Sequence, residues 1–133
     1  DPCSDSGEQF FTIGVVSAGM SEMKEISDKF NHPMPFIAGI SHKGKLPLES
    51  TAIKYAGEVK VSAVKVSEDG EGTAIRVYDD DGRDKQVTLT VDGGVKKAYY
   101  ADSCENKLGD IPVKDGKIEF TVPKFDFVTV VVK

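Results

Sequence analysis

The side chains with chemistry to offer are two histidines, His32 and His42, two cysteines, Cys3 and Cys104, and carboxylates gathered in the runs SEDGEG (67–72) and DDDGRD (79–84). A zinc centre needs a third ligand beside the two imidazoles. Neither His-x-Glu nor Cys-x-x-Cys spacing supplies one, so the histidines read as surface or turn residues. The D-x-D-G run resembles part of a calcium loop, but no regularly spaced ligands and closing Glu follow Asp79 to Asp84. Gly-x-Ser-x-Gly, a nucleophilic Cys/His arrangement and a phosphate loop are all missing from the sequence. Glycoside hydrolysis needs two carboxylates facing one another across a cleft, which linear spacing cannot establish. Glu68, Asp79, Asp80 and Asp81 fall in turns and read as solvated turn residues. The expectation is therefore a chain with no catalytic residue and no metal ligand of its own. Tyr99 and Tyr100 form the one place where a ring turned outward would contact a carbohydrate, in a sequence without tryptophan.

The elements that hold these residues are mostly strands. Three runs between Val59 and Val91, V-K-V-S-A-V-K-V, T-A-I-R-V-Y and Q-V-T-L-T-V, read as successive antiparallel strands. Thr73, Ile75 and Val77 share one face; Val87, Leu89 and Val91 share another. In the first run the phase slips near Ala63, which fits either a β-bulge or a strand buried on both faces. Further strands are expected at 7–16, 36–40, 51–55, 95–101, 111–113, 117–122 and 125–132. Asp92-Gly93-Gly94 is expected to close a hairpin between the third central strand and 95–101, and Lys114-Asp115-Gly116 another turn. Residues 102–110 read as polar and irregular. Residues 17–31 change period: Met20, Met23, Ile26 or Ser27, and Phe30 make an apolar stripe on a short helix, capped by Ser17 or Ser21 and stopped before Pro33. The fold class is all-β, an antiparallel β-sandwich with one short amphipathic helix, as a single domain or partial domain over 1–133. Its expected core includes Ile75, Val77, Leu89, Phe120, Phe127 and Val131, with the helix stripe turned to it.

Composition narrows the function classes. At 133 residues, 39% hydrophobic, the chain can build one real core, and two domains would be cramped. A net charge of -5, with no basic patch, argues against nucleic acid. No apolar run is long enough for a membrane-spanning helix, so no membrane partner is expected. Cys3 and Cys104 could pair across the fold, but two cysteines default to free thiols and leave the compartment open, with a soluble, cytoplasmic protein favoured. The opening Asp-Pro-Cys-Ser-Asp-Ser-Gly has neither an initiator Met nor a leader pattern, and reads as cut from something longer.

The order D-P-x-x-D-x-G-x-Q-F-F-T, P-L-E-S-T-A-I, S-A-V-K-V-S-E-D-G-E-G-T-A-I-R-V-Y and K-F-D-F-V-T-V resembles the C-terminal β-sandwich region of glycoside hydrolase family 38, the α-mannosidases, particularly the microbial branch. Asp1, Pro2, Asp5, Gly7 and Phe11-Thr12 match the entry to a strand. Ala63, Lys65, Glu68, Gly72, Arg76 and Tyr78 match the family's A-x-K-x-x-E-x-x-x-G-x-x-x-R-x-Y signature. Phe125, Asp126, Phe127 and Thr129 match its closing P-F-E-I-x-T, with Lys124 in place of the proline and Asp126 in place of the glutamate. The resemblance implies a noncatalytic domain that packs against an N-terminal catalytic domain and helps shape the cleft. It also implies that the parent hydrolyses terminal α-mannosides with retention, through an aspartate nucleophile in a zinc-binding catalytic domain. No cofactor is implied for this chain, and an α-mannoside would meet it only at the domain boundary. A carbohydrate-binding or adhesion sandwich is the alternative reading. Glu68 is expected to hold the hairpin turn, and Arg76 to lie across a neighbouring strand or to fork onto a carboxylate.

Overall fold

A computed structural model describes residues 7–45 and 47–133, apart from the side chains of Met20 and Ser21. The matches at Asp1, Pro2 and Asp5, and Cys3, lie outside the described residues; Cys104 is an exposed free thiol. The chain divides into two units, residues 1–45 and 46–133.

The first unit holds α1 (Met20–Asn31). Its N-cap is Gly19 with no side-chain cap bond, in place of the serine expected there; Gly19 O accepts the Met23 N–H at 2.8 Å. The helix stops as expected: His32, held out of helical geometry ahead of Pro33, is the C-cap. The Phe30 ring lies against Gly14 in the same unit, and Met23 and Phe30 stay about half-exposed. Residues 7–16 and 36–40 are not strands. Phe10, Phe11, Val15, Phe36, Ile37 and Ile40 are 82–99% exposed. Their composition suits strands, but a strand exists only where a neighbour takes up its backbone groups, and none does among the described residues.

The second unit is the sandwich. Its strands are β1 (Ile53–Ala56), β2 (Lys60–Val66), β3 (Thr73–Tyr78), β4 (Lys85–Val91), β5 (Ala98–Ala101), β6 (Lys107–Ile111), β7 (Val113–Lys114), β8 (Lys117–Val122) and β9 (Phe127–Val132). They form two antiparallel sheets, ordered β1-β4-β8-β7 and β2-β3-β9-β5-β6. The central runs are therefore not one meander. β2 and β3 pair, but DDDGRD carries the chain from β3 into the other sheet. Asp92–Gly94 likewise crosses from β4 to β5 and closes no hairpin. Alternation shows which face of a strand is apolar; it is silent on whether a turn stays within a sheet. The slip near Ala63 is a bulge: Val61 pairs with Val77 and Ala63 with Arg76, leaving Ser62 extra. β6 occupies part of the segment expected to be irregular. A second register shift between Tyr100 and Ala101, and Gly109 within the strand, hide its alternation. Asp115-Gly116, both at positive φ, make the tight turn between β7 and β8 as expected.

The core lies between the sheets. Ile75, Val77, Leu89, Val87, Ile118, Phe120, Val122 and Val130 are all buried there. Val131 is buried in a small second cluster with Ala74 and Ala101 on the far side of the five-stranded sheet, with Tyr99 packed against it. Phe127 is not a core residue; it is 47% exposed at the start of β9, on that same outer side. β9 is central, between β3 and β5, as its two apolar faces require. Among the described residues no helix is long and apolar enough to cross a membrane.

Candidate functional site on the outward face of the five-stranded sheet

Pairing register places most signature residues together. Ala63 and Lys65 on β2 pair with Arg76 and Ala74 on β3; Arg76 and Tyr78 pair with Thr129 and Phe127 on β9; Ala101 on β5 also pairs with Thr129. Partners in an antiparallel ladder share a face, and this one points away from the core. Tyr99 joins it through Val131, whereas Tyr100 pairs with core-facing Val130 and turns inward.

Arg76 takes the first of its two expected postures. It lies across β9, donating from Nε to Thr129 Oγ1 at 2.9 Å and from Nη2 to Ser103 O at 3.1 Å, with its guanidinium 5.4 Å from the centre of the Phe127 ring. Thr129 is buried, so this bond satisfies a hydroxyl that water does not reach.

Glu68 and Gly72 sit at the β2–β3 turn. Glu68 accepts from Lys65, whose ammonium also meets Glu105 Oε1 at 2.8 Å; Glu105 Oε2 accepts the Glu68 N–H at 2.7 Å. The Lys65 ammonium, then the Glu68 N–H, hold the Glu105 carboxyl below the usual range. The carboxylate that holds the turn itself is Asp69. It accepts from the Ser67 hydroxyl at 2.6 Å and the Glu71 N–H at 2.9 Å, and meets Lys133 Nζ at 2.7 Å. Lys133 is the largest cause of Asp69's lowered pKa, followed by Ser67. Gly72 lies where a Cβ would come 2.6 Å from Val132 O, so only glycine fits.

Phe125 and Asp126 stand at the sheet's other end, in the turn between β8 and β9. Here Asp79 overturns the reading as a solvated residue: it is 4% exposed. Its Oδ2 accepts N–H bonds from Gly82 at 2.7 Å, Arg83 at 3.2 Å and Phe125 at 2.9 Å, and Oδ1 one from Asp81 at 3.3 Å. Burial pushes its pKa up, but the N–H of Phe125, then the contacts with Asp81 and Gly82, outweigh that and leave it well below the ordinary value. Phe125 has φ +54° and its ring covers Gly82, where a Cβ would come 2.4 Å from the ring. Asp126 O accepts the Asp79 N–H at 3.0 Å and its Oδ1 the Phe127 N–H at 2.8 Å. One buried carboxylate thus ties the β3–β4 crossover to the β8–β9 turn. Lys85 braces the same crossover through Asp81 at 2.8 Å and Glu58 at 3.1 Å.

The chemistry open to this arrangement is limited. A general acid needs a carboxyl pushed up, but Asp69, Asp79, Asp102 and Glu105 are all pushed down by donors that fix turns. His32 and His42 are exposed, and His42 Nδ1 lies 3.1 Å from Lys43 O. Among the described residues no three His, Cys, Asp or Glu side chains converge as a metal site. An open groove of about 680 Å³ runs beside Tyr99, lined also by Asp69, Glu71, Lys96, Lys97, Lys107 and Lys133. The ammonium groups of Lys107 and Lys133 lie 5.7 and 5.8 Å from the Tyr99 ring centre. Tyr99 is half-buried, so with Tyr100 turned inward the pair does not form a flat exposed platform. Asp79, Glu105 and Lys133 were missed as organising residues. Nothing in the local sequence signals any of the three, since a run of aspartates reads the same in an exposed turn as in a buried crossover.

A family model described as the glycosyl hydrolases family 38 C-terminal beta sandwich domain matches residues 58–130, from just before β2 into β9. The chain belongs to this family. No curated protein and no solved structure matches it significantly. Every signature residue from Ala63 to Thr129 lies inside the matched span, so the outward face and the two turns that bound it are parts of the family 38 C-terminal sandwich.

Proposed function

We propose that this chain is a noncatalytic, structural domain of an α-mannosidase-type enzyme, packing against the parent's catalytic domain and helping to shape its cleft. The observation that carries the reading is membership of a family defined as a C-terminal sandwich of glycosyl hydrolases. A domain of that description has other domains of its parent to pack against. The tied-up carboxylates support a structural role, since each is spent on turns and strand crossovers. In this reading the parent hydrolyses terminal α-mannosides, and zinc and the nucleophile belong to its catalytic domain. Two cysteines are too few for a disulfide framework, and a cytoplasmic enzyme fits that count. The test is a paired assay of this chain and its full-length parent with a chromogenic α-mannoside and added zinc. Turnover by the parent alone is expected. Turnover by the isolated chain contradicts the reading, as does saturable mannoside binding by a chain whose parent is inactive.

A further inference from the structure

Four Asp-Gly pairs lie in this chain, at 69–70, 81–82, 92–93 and 115–116. In such a pair the amide nitrogen after the aspartate can reach the side-chain carboxyl, because glycine has no Cβ to obstruct the approach. The nitrogen attacks Cγ of the protonated carboxyl, a C–N bond forms and one water leaves, giving a succinimide ring. Water then adds back at either ring carbonyl. Opening at one restores aspartate; opening at the other leaves isoaspartate, whose main chain runs through the side-chain carbon and is one atom longer. Water is the only co-reactant.

The sequence makes the four pairs equal, but the fold holds two of them. The Asp69 carboxylate accepts from Ser67 Oγ at 2.6 Å and the Glu71 N–H at 2.9 Å and meets Lys133 Nζ at 2.7 Å, while the Gly70 N–H is donated to Ser67 O at 2.8 Å. Asp81 is ion-paired with Lys85 at 2.8 Å, and the Gly82 N–H is donated to Asp79 Oδ2 at 2.7 Å. Ring closure at either site has to break these bonds. Asp92 and Asp115 are exposed. Among the described residues neither carboxylate has a hydrogen-bond or ion-pair partner, and the N–H groups of Gly93 and Gly116 donate to none. Their two turns also adjoin: a Cβ on Gly116 would come 3.3 Å from Gly94 Cα, and Gly116 O accepts the Val95 N–H at 3.0 Å.

We infer that the adjoining turns at Asp92-Gly93 and Asp115-Gly116 are the sites at which the folded chain isomerises spontaneously to isoaspartate, while the same pairs at 69–70 and 81–82 are protected by their contacts. Isomerisation at Asp115 lengthens the turn between the paired residues Lys114 and Lys117 and carries Gly116 O away from buried Val95, so it loosens the join between the β7–β8 turn and the chain entering β5. The test ages the folded chain near neutral pH, digests it, and resolves each Asp-Gly peptide by chromatography and by a protease that cuts before aspartate and not before isoaspartate. Asp92 and Asp115 are expected to isomerise about tenfold or more faster than Asp69, since each pKa unit that ion pairing takes from a carboxyl removes tenfold of its protonated form. Both are expected to outpace Asp81 as well. In denaturant the four rates are expected to converge. Asp115→Glu, whose longer side chain closes the ring poorly, is expected to abolish the reaction at 115 and to keep the Val95 amide protected from hydrogen exchange on ageing, where the unsubstituted chain loses that protection. No isomerisation at Asp92 or at Asp115, equal rates at all four sites in the folded chain, a faster rate at Asp69 or Asp81, or the same ranking in denaturant overturns the inference. Val95 exchange that ageing leaves alike in the two chains refutes the loosened join.

Discussion

Asp79 shows how a carboxylate in an acidic turn becomes structural: four backbone N–H groups converge on it in a site with almost no solvent. Asp79→Asn keeps the shape but turns a charged acceptor into an amide that also carries donors. It is expected to lower the unfolding midpoint at neutral pH. Because Asp79, Asp69, Asp102 and Glu105 all have folded pKa values below their unfolded ones, their stabilisation is complete above about pH 4 and lost as pH falls through the folded values. Variant and parent sequence should therefore converge on acidification, as read by thermal melts from pH 7 downward; a constant gap contradicts the assignment. Lys65, Lys85 and Lys133 are raised, so their contribution holds up to about pH 10 and is lost above it. Arg76 is a milder case. Arg76→Lys keeps the charge but not the planar reach to Thr129 and Ser103, and should cost about 1 kcal/mol in urea unfolding. No change would mean the guanidinium contacts do not stabilise the fold. That Arg76 lies across a neighbouring strand was one of two postures its place in the signature left open, and the contacts with Thr129 and Ser103 decide between them. The burial of Asp79 was not legible, because a run of aspartates looks the same in sequence whether its turn sits on the surface or spans two sheets.

The apolar faces of β3 and β4 were readable from period two, while the phase slip in β2 left a bulge and a strand buried on both faces as alternatives, of which the structure shows the bulge. Sheet membership was not readable, since DDDGRD and Asp92–Gly94 have hairpin-like composition but serve as crossovers. Strand existence failed where apolar runs lack a pairing neighbour, at 7–16 and 36–40, and where a bulge and a glycine masked alternation, in β6. At this scale, Gly72 is decisive for the β2–β3 hairpin. Its absent Cβ would meet a backbone oxygen that cannot step aside, so Gly72→Ala should cost about 1–3 kcal/mol in denaturant unfolding. A neutral result would show that the hairpin end has slack. In the core, Leu89→Ala should cost about 2–5 kcal/mol, whereas Phe127→Ala, at a half-exposed ring, should cost clearly less. Equal costs would refute the placement of Phe127 outside the core.

The whole molecule consists of a sandwich with its own core in residues 46–133 and a separate unit in residues 1–45. A chain of 46–133 is expected to keep the β spectrum and a cooperative transition; loss of both would make the first unit part of the folding unit. Family membership gives the sandwich a place in a glycosyl hydrolase, and the proposed function gives it a supporting role there. The most direct test is to carry Leu89→Ala into the full-length parent and to measure α-mannoside turnover at low temperature beside the rate of thermal inactivation. A supporting domain predicts unchanged kcat while the sandwich stays folded, and inactivation at a lower temperature. A fall in kcat with the sandwich still folded, or inactivation unaffected by the substitution, would contradict it.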